Sequence, residues 1–193
     1  MTCIVGLEHN GGVTIGGDSM LSDFWAGASM VTPKVWKRGE FVYGYCGSLR
    51  AGQILRYIFA APQLPDSDTD DALEEYLVNE WSETLRQTFL DAGNAKVKHE
   101  VQTTPNSWFL FGIRGRLYTM QSDFSVWRTT RGYASIGSGE QFALGALEVL
   151  KRSHSSIKHK IETALAAASE HAPTVGPPYY IVSTVDDDED EAT

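Results

Sequence analysis

The sequence predicts an α+β fold: a four-layer αββα sandwich of two antiparallel sheets, each flanked by a helix pair. Two observations predict it. Strand-like runs come in blocks rather than alternating with single helices, which argues against a doubly wound parallel sheet. Two helix pairs separate or follow those blocks, and each has apolar stripes that need a sheet face to cover. The chain has 193 residues, 42% hydrophobic and 21% charged, which suits one compact domain with a large core.

Taken in order, residues 2–8 are rich in β-formers. His9, Asn10, Gly11 and Gly12 give a strong tight-turn signal, so 13–17 reads as the returning strand, broken at Asp18. Residues 34–37 and 41–46 form a second hairpin about Arg38 and Gly39. With Ser48 as N-cap, Leu49, Ile54, Leu55 and Ile58 fall near helical spacing, and Pro62 and Pro65 stop that helix. An acidic loop over 66–71 leads into a helix over about 72–92, ended by Gly93. Its stripe is Leu73, Leu77, Trp81, Leu85 and Phe89. Strands return at 108–113 and 117–120, around Arg114 and Gly115, then at 124–127 and 133–136. Gly137, Ser138 and Gly139 break the chain before helices over 140–152 and 155–171, and 179–183 is the last strand. No repeat or linker divides the chain, which gives one domain over 1–184 and an acidic tail over 185–193.

The net charge is −9, of which residues 186–191 carry −6. The body is therefore only mildly acidic, which argues against a nucleic-acid-binding face. The tail repels itself and has nothing to bury, so a disordered, solubilising segment is expected. No stretch approaches the roughly 20 apolar residues of a membrane helix, and no basic-then-apolar signal peptide stands at the N-terminus. Cys3 and Cys46 lie in apolar strand-like runs and read as buried free thiols, which fits a reducing cytoplasm. Nothing implies a metal or a cofactor.

The chemistry starts at Met1-Thr2. Aminopeptidases remove Met before a small residue, and the product would hold a hydroxyl nucleophile and a free amine on one residue. A free α-amine has a pKa of about 7.7 to 8.0, so it can act as a base near neutral pH. Asp18 ends a strand running back antiparallel to the one that begins at Thr2, and Gly16 and Gly17 leave room for another chain to approach. Lys34 opens the next strand. A lysine near the nucleophile disfavours protonation of the amine, and a buried lysine needs a carboxylate, which Asp18 can supply. At Gly47-Ser48 a strand turns into a helix, where unpaired backbone N–H groups can face a developing oxyanion. Ser138 sits just before another helix, where its hydroxyl can reach an amine or a water. Each feature alone is as well read as ordinary structure: a hairpin end, a surface lysine, a strand-to-helix turn.

Together, Thr2-Cys3-Ile4-Val5, Asn10-Gly11, Gly16-Gly17-Asp18, Lys34-Val35, Gly44 to Gly47 and Ile136-Gly137-Ser138-Gly139 resemble the proteasome β-subunit superfamily of N-terminal-nucleophile (Ntn) hydrolases. The likeness is greatest to its bacterial form, the peptidase subunit of a two-component ATP-dependent protease, and covers about residues 2–150. The resemblance implies the Ntn-hydrolase fold and a threonine peptidase that cleaves unfolded polypeptides inside a ring of six or more identical subunits, with an ATP-dependent unfoldase as a possible partner. Thr2 would be nucleophile and base, Lys34 would tune it, Asp18 would orient the lysine, the Gly47 N–H would form the oxyanion hole, and Ser138 would hold the amine and a water. Leu21, Thr32, Tyr45 and Leu49 would line the pocket beside the nucleophile, with apolar side chains accepted.

The C-terminal part departs from that pattern. Where an Asp and then a Ser are usual, His171 and Thr174 fall nearest, with Glu170 an alternative for the Asp. Two rival readings stay open: a catalytically silent ring subunit with a structural or binding role, and an Ntn amidase using another nucleophile, for which Cys3 is suggestive.

Overall fold

The computed structural model describes residues 2–22, 27–98, 101–104 and 106–185. Met1, whose removal the sequence suggests, and the acidic tail from Asp186 on lie outside the described residues. Strands β1 (Cys3–His9) and β2 (Gly12–Asp18) pair antiparallel through a tight turn. Asn10 and Gly11 both have positive φ there, 34° and 78°, the conformation that matches strand twist in a two-residue hairpin. A short hairpin absent from the sequence reading follows: β3 (Met20–Ser22) with β4 (Gly27–Ser29). Next come β5 (Val35–Arg38) and β6 (Phe41–Cys46).

Helix α1 (Leu49–Tyr57) begins where Ser48 Oγ accepts the Ala51 N–H. It ends well before Pro62, because the Phe59 N–H turns back to the Ile54 carbonyl at 2.9 Å. The long helix expected over 72–92 starts earlier, capped by Thr69, and divides into α2 (Asp70–Tyr76), a π-helical turn (Leu77–Trp81) and α3 (Ser82–Asp91). Gly93, at φ 65°, closes it. A second unforeseen hairpin joins β7 (Lys96–Lys98) and β8 (Val101–Thr103). Strands β9 (Trp108–Ile113), β10 (Arg116–Met120), β11 (Val126–Arg128) and β12 (Tyr133–Gly137) then lead to α4 (Glu140–Leu150), α5 (Ile157–His171) and β13 (Tyr179–Ser183). β11 begins two residues later than the sequence suggests, since Phe124 takes φ 69° and tucks its ring into the core.

One sheet runs β12-β1-β2-β13 and the other β11-β10-β9-β6-β5, with every neighbouring pair antiparallel. Strand alternation splits the apolar side chains into three interiors. Phe41, Tyr43, Phe109 and Phe111 face outward onto α1 to α3 and the fully buried Trp81, whose ring stacks on Phe111 at 4.6 Å. Cys3, Val5 and Leu7 face outward onto α4 and α5, against Leu147, Ile161 and Leu165. Ile4, Val13, Ile15, Val35, Val42 and Leu110 fill the space between the sheets. The order helix, sheet, sheet, helix is the αββα sandwich expected.

Glycines set how closely these layers approach. On the inner faces, a Cβ on Gly44 would stand 2.5 Å from Ile4 Cγ2, one on Gly112 would stand 2.4 Å from Val13 Cγ1, and one on Gly17 would stand 2.9 Å from Val35 Cγ1. Each glycine of one sheet thus receives a branched side chain of the other. Gly16, pointing the opposite way, receives Ile161 of α5. The room that Gly16 and Gly17 leave is filled by packing.

Candidate active site

The candidate residues come from both sheets and converge at one end of the sandwich. Thr2 precedes β1 and is only 4% exposed. The β1–β2 register, with Ile4 opposite Gly17, brings Asp18 beside Cys3, whose N–H donates to Asp18 Oδ1 at 2.9 Å. The Met20 N–H donates to Oδ2 at 3.0 Å, so both carboxylate oxygens are fixed by backbone.

Lys34 comes from the other sheet, immediately before β5, and crosses to this carboxylate. Its ammonium donates to both Asp18 oxygens at 3.1 Å and to the Met20 carbonyl at 2.5 Å. Lys34 is 3% exposed and Asp18 0%, so the pair is shut off from bulk water. Burial holds the Lys34 pKa below its ordinary value, and the Asp18 charge opposes that fall. A cation this poorly hydrated projects a strong field onto its surroundings.

The third side of the site is the break between β12 and α4. The Thr2 N–H donates to Ser138 Oγ at 3.2 Å; the Ser138 hydroxyl lies 3.3 Å from the Thr2 carbonyl and 3.3 Å from Thr174 Oγ1. The Thr2 nitrogen is a peptide nitrogen in this chain and marks where a free α-amine would stand after loss of Met1. Gly137, at φ 102°, could carry no side chain, because a Cβ would fall 2.2 Å from the Thr2 carbonyl oxygen. The fourth side is Gly47, between β6 and α1. Its φ is 92°, and a Cβ there would meet the Asn106 carbonyl oxygen at 1.7 Å.

Thr2, Asp18, Lys34 and Ser138 are therefore linked by hydrogen bonds or through neighbouring backbone, and Gly47 stands where the sheet turns into a helix. Thr174 joins through Ser138. Glu170 and His171 do not: both are exposed in the last turn of α5, and the His171 ring tilts onto Phe142 of α4 at 5.1 Å. Leu21, Thr32 and Leu49 are exposed, on or next to the segments that hold Asp18, Lys34 and Gly47. Tyr45 differs from these three in being buried. It is 6% exposed, because alternation along β6 turns it outward onto Trp36 and Gly52 of α1.

Cys3 points away from this constellation, into the interior under α4 and α5, with its thiol 3.8 Å from Ser135 Oγ. Burial pushes it up to about 12, which leaves almost no thiolate near neutral pH. Two participants escaped the sequence reading: the Met20 carbonyl, which accepts from Lys34, and the Asn106 carbonyl, which makes glycine obligatory at 47. Neither carries a local signal, since a backbone carbonyl is aimed by the fold. Cys46 is the buried free thiol expected; burial pushes it up to about 11, and it faces between the sheets near Gly137. Among the described residues no cluster of three or more His, Cys, Asp or Glu could hold a metal, and no helix is long and apolar enough to cross a membrane.

No family model matches the chain, and no curated protein sequence does. Solved structures do. BPH of Thiobacillus denitrificans, in complex with epoxomicin, superposes with a TM-score of 0.75 at 18% identity, over 94% of this chain and 97% of that one. Eukaryotic HslV from Trypanosoma brucei gives 0.66 at 14% identity, over 94% and 98%. Anbu, the ancestral beta-subunit, from Yersinia bercovieri gives 0.63 at 13% identity, over 94% and 81%. At these identities the likeness is one of fold, and the fold is that of the proteasome-type Ntn-hydrolase subunits.

Proposed function

We propose that this proteasome-type chain is a threonine endopeptidase whose nucleophile is Thr2, exposed as the N-terminus by removal of Met1. The observation that carries this reading is the buried Asp18–Lys34 pair beside Thr2. A structural subunit gains little from it, because a buried ion pair contributes little net stability compared with apolar packing. A nucleophile with its own amine as base gains an adjacent cation that disfavours protonation of that amine.

In the proposed reaction the Thr2 amine takes the hydroxyl proton as Oγ attacks the scissile carbonyl carbon. The carbonyl oxygen becomes the oxyanion of the tetrahedral adduct, met by the Gly47 N–H. Collapse expels the amine product, protonated by the Thr2 ammonium, and leaves an ester on Oγ. Water, deprotonated by the same amine and steadied by Ser138, hydrolyses the ester. Asp18 keeps Lys34 charged despite burial, and Ser138 with Thr174 orients the amine. The substrates would be unfolded polypeptides, entering a ring of six or more copies in the cytoplasm, with an ATP-dependent unfoldase as the partner that delivers them.

The test compares the parent with Thr2→Ala, which keeps a small second residue and so still permits Met1 removal. Intact mass should show Met1 absent from both. The parent should cleave an unfolded protein and take up one epoxomicin per chain, the compound bound in the Thiobacillus structure; the variant should do neither while keeping its circular dichroism. Full activity in a chain that retains Met1, or in Thr2→Ala, would refute the reading.

A further inference from the structure

A second opening lies across Thr2 from Lys34. In the first sheet Asp18 sits on the β2 side of β1, whereas Ser138 and α4 continue from β12 on its other side. There the edge strands β11 and β12 of the two sheets part, and α4 covers the gap from above. The result is a notch of about 80 Å³ walled by Trp108, Trp127, Ile136, Leu144 and Glu140. It is tied to the site through residues next to Gly47 and Ser138. Trp108 pairs with Cys46, one residue before Gly47, and Glu140 follows Gly139, whose N–H reaches the Thr2 carbonyl at 3.4 Å.

The chemistry of the walls is specific. Trp108 and Trp127 are 36% and 42% exposed, an unusual cost for two indoles unless their faces are used. Glu140, the first residue of α4, is partly buried in the notch wall, and it makes no hydrogen bond or ion pair among the described residues. Burial alone raises its pKa; no cation stands close enough to lower it. Arg131, at the far mouth, is turned toward the Tyr133 phenol and the Glu148 carboxylate, which share its charge. An unpaired carboxylate in a notch whose walls include two indoles suits a cation with an alkyl stem, held by charge and by cation–π attraction.

We propose that this notch is a subsite for a lysine or arginine side chain of the bound polypeptide, with Glu140 as its specificity-determining residue. It lies on the opposite side of the nucleophile from Leu21 and Thr32, so the cationic residue would sit across the scissile bond from the residue those side chains meet. The inference rests on the reading of Thr2 as the nucleophile for its place along the substrate, but binding to the notch can be measured without any cleavage.

The experiment uses the Thr2→Ala protein and a set of octapeptides in which one lysine is walked through every position, each paired with a norleucine control. Binding is followed by intrinsic tryptophan fluorescence. At one position lysine should bind about 5- to 10-fold more tightly than norleucine, and Glu140→Gln should remove that preference without changing affinity for the norleucine peptide. Glu140→Lys should reverse it. Equal affinity of lysine and norleucine at every position would overturn the proposal, as would a lysine preference that survives Glu140→Gln. Failure of the parent protein to cleave any of these peptides would count against the threonine peptidase and leave the binding result to stand by itself.

Discussion

Asp18→Asn is the most informative single change, because one carboxylate accepts four hydrogen bonds from three donor groups. Oδ1 accepts from the Cys3 N–H and from Lys34, and Oδ2 accepts from the Met20 N–H and from Lys34. An amide has one oxygen, so in either orientation its NH2 group faces a backbone N–H at about 3 Å and a buried ammonium. Breaking a buried pair from one side costs about 3 to 5 kcal/mol. For a chain of this length that corresponds to a fall in Tm of about 6 to 20 °C. The pH dependence has a definite sign. Lys34 is depressed below 10.5 by burial, so between its folded value and 10.5 the unfolded chain binds more protons, and stability rises with pH. Loss of the Asp18 charge removes the opposing pull and extends that window downward. The deficit of the variant should therefore be large at pH 7 and should narrow as pH rises toward 10. Urea unfolding at pH 7, 8.5 and 10 measures it. A deficit below about 1 kcal/mol at pH 7, or one that widens with pH, would refute the reasoning.

Two further outcomes follow from the same geometry. Gly47→Ala forces a side chain into positive φ and within 1.7 Å of the Asn106 carbonyl oxygen, so stability should drop by roughly 2 to 4 kcal/mol and peptide cleavage should fall at least 100-fold; unchanged thermal melting would contradict it. Cys3→Ser puts a hydroxyl in place of the thiol that lies 3.8 Å from Ser135 Oγ, on the face turned away from Thr2, so it should keep cleavage within about twofold and lose about 1 kcal/mol of stability, read by activity assay and denaturant melt.

Local signals in the sequence were strong where a single residue dictates backbone. Asn10-Gly11 specified its turn, Ser48 its cap and Gly93 its helix end, and the strands around them followed by alternation. The π-helical turn at Leu77–Trp81 was hidden because the apolar stripe reads the same through one extra residue per turn; Trp81 takes up the offset by filling the space between Phe41, Tyr43 and Phe111. The proline stop at 62 was misread because a tertiary contact, Phe59 folding back under α1, acts first. At the site, spacing predicted Asp18 and Lys34 as partners, yet nothing local distinguishes Thr174, which reaches Ser138, from His171, which does not. That choice depends on how the chain leaves α5.

The glycine sockets between the sheets have a further meaning for the site. Its parts are mounted on two separate plates: Thr2, Asp18 and Ser138 on one, Lys34 and Gly47 on the other. The gap between the plates is set where Ile4 enters Gly44 and Val13 enters Gly112. These sockets act as shims. A methyl group added at Gly44, which pairs with Val35 beside Lys34, changes the separation of the plates, and with it the reach from Lys34 to Asp18 that now stands at 3.1 Å. Alignment here has a narrower tolerance than folding, so in a library of inner-face substitutions the loss of turnover should exceed what the loss of stability accounts for, with the defects graded by the volume added rather than by distance from Thr2.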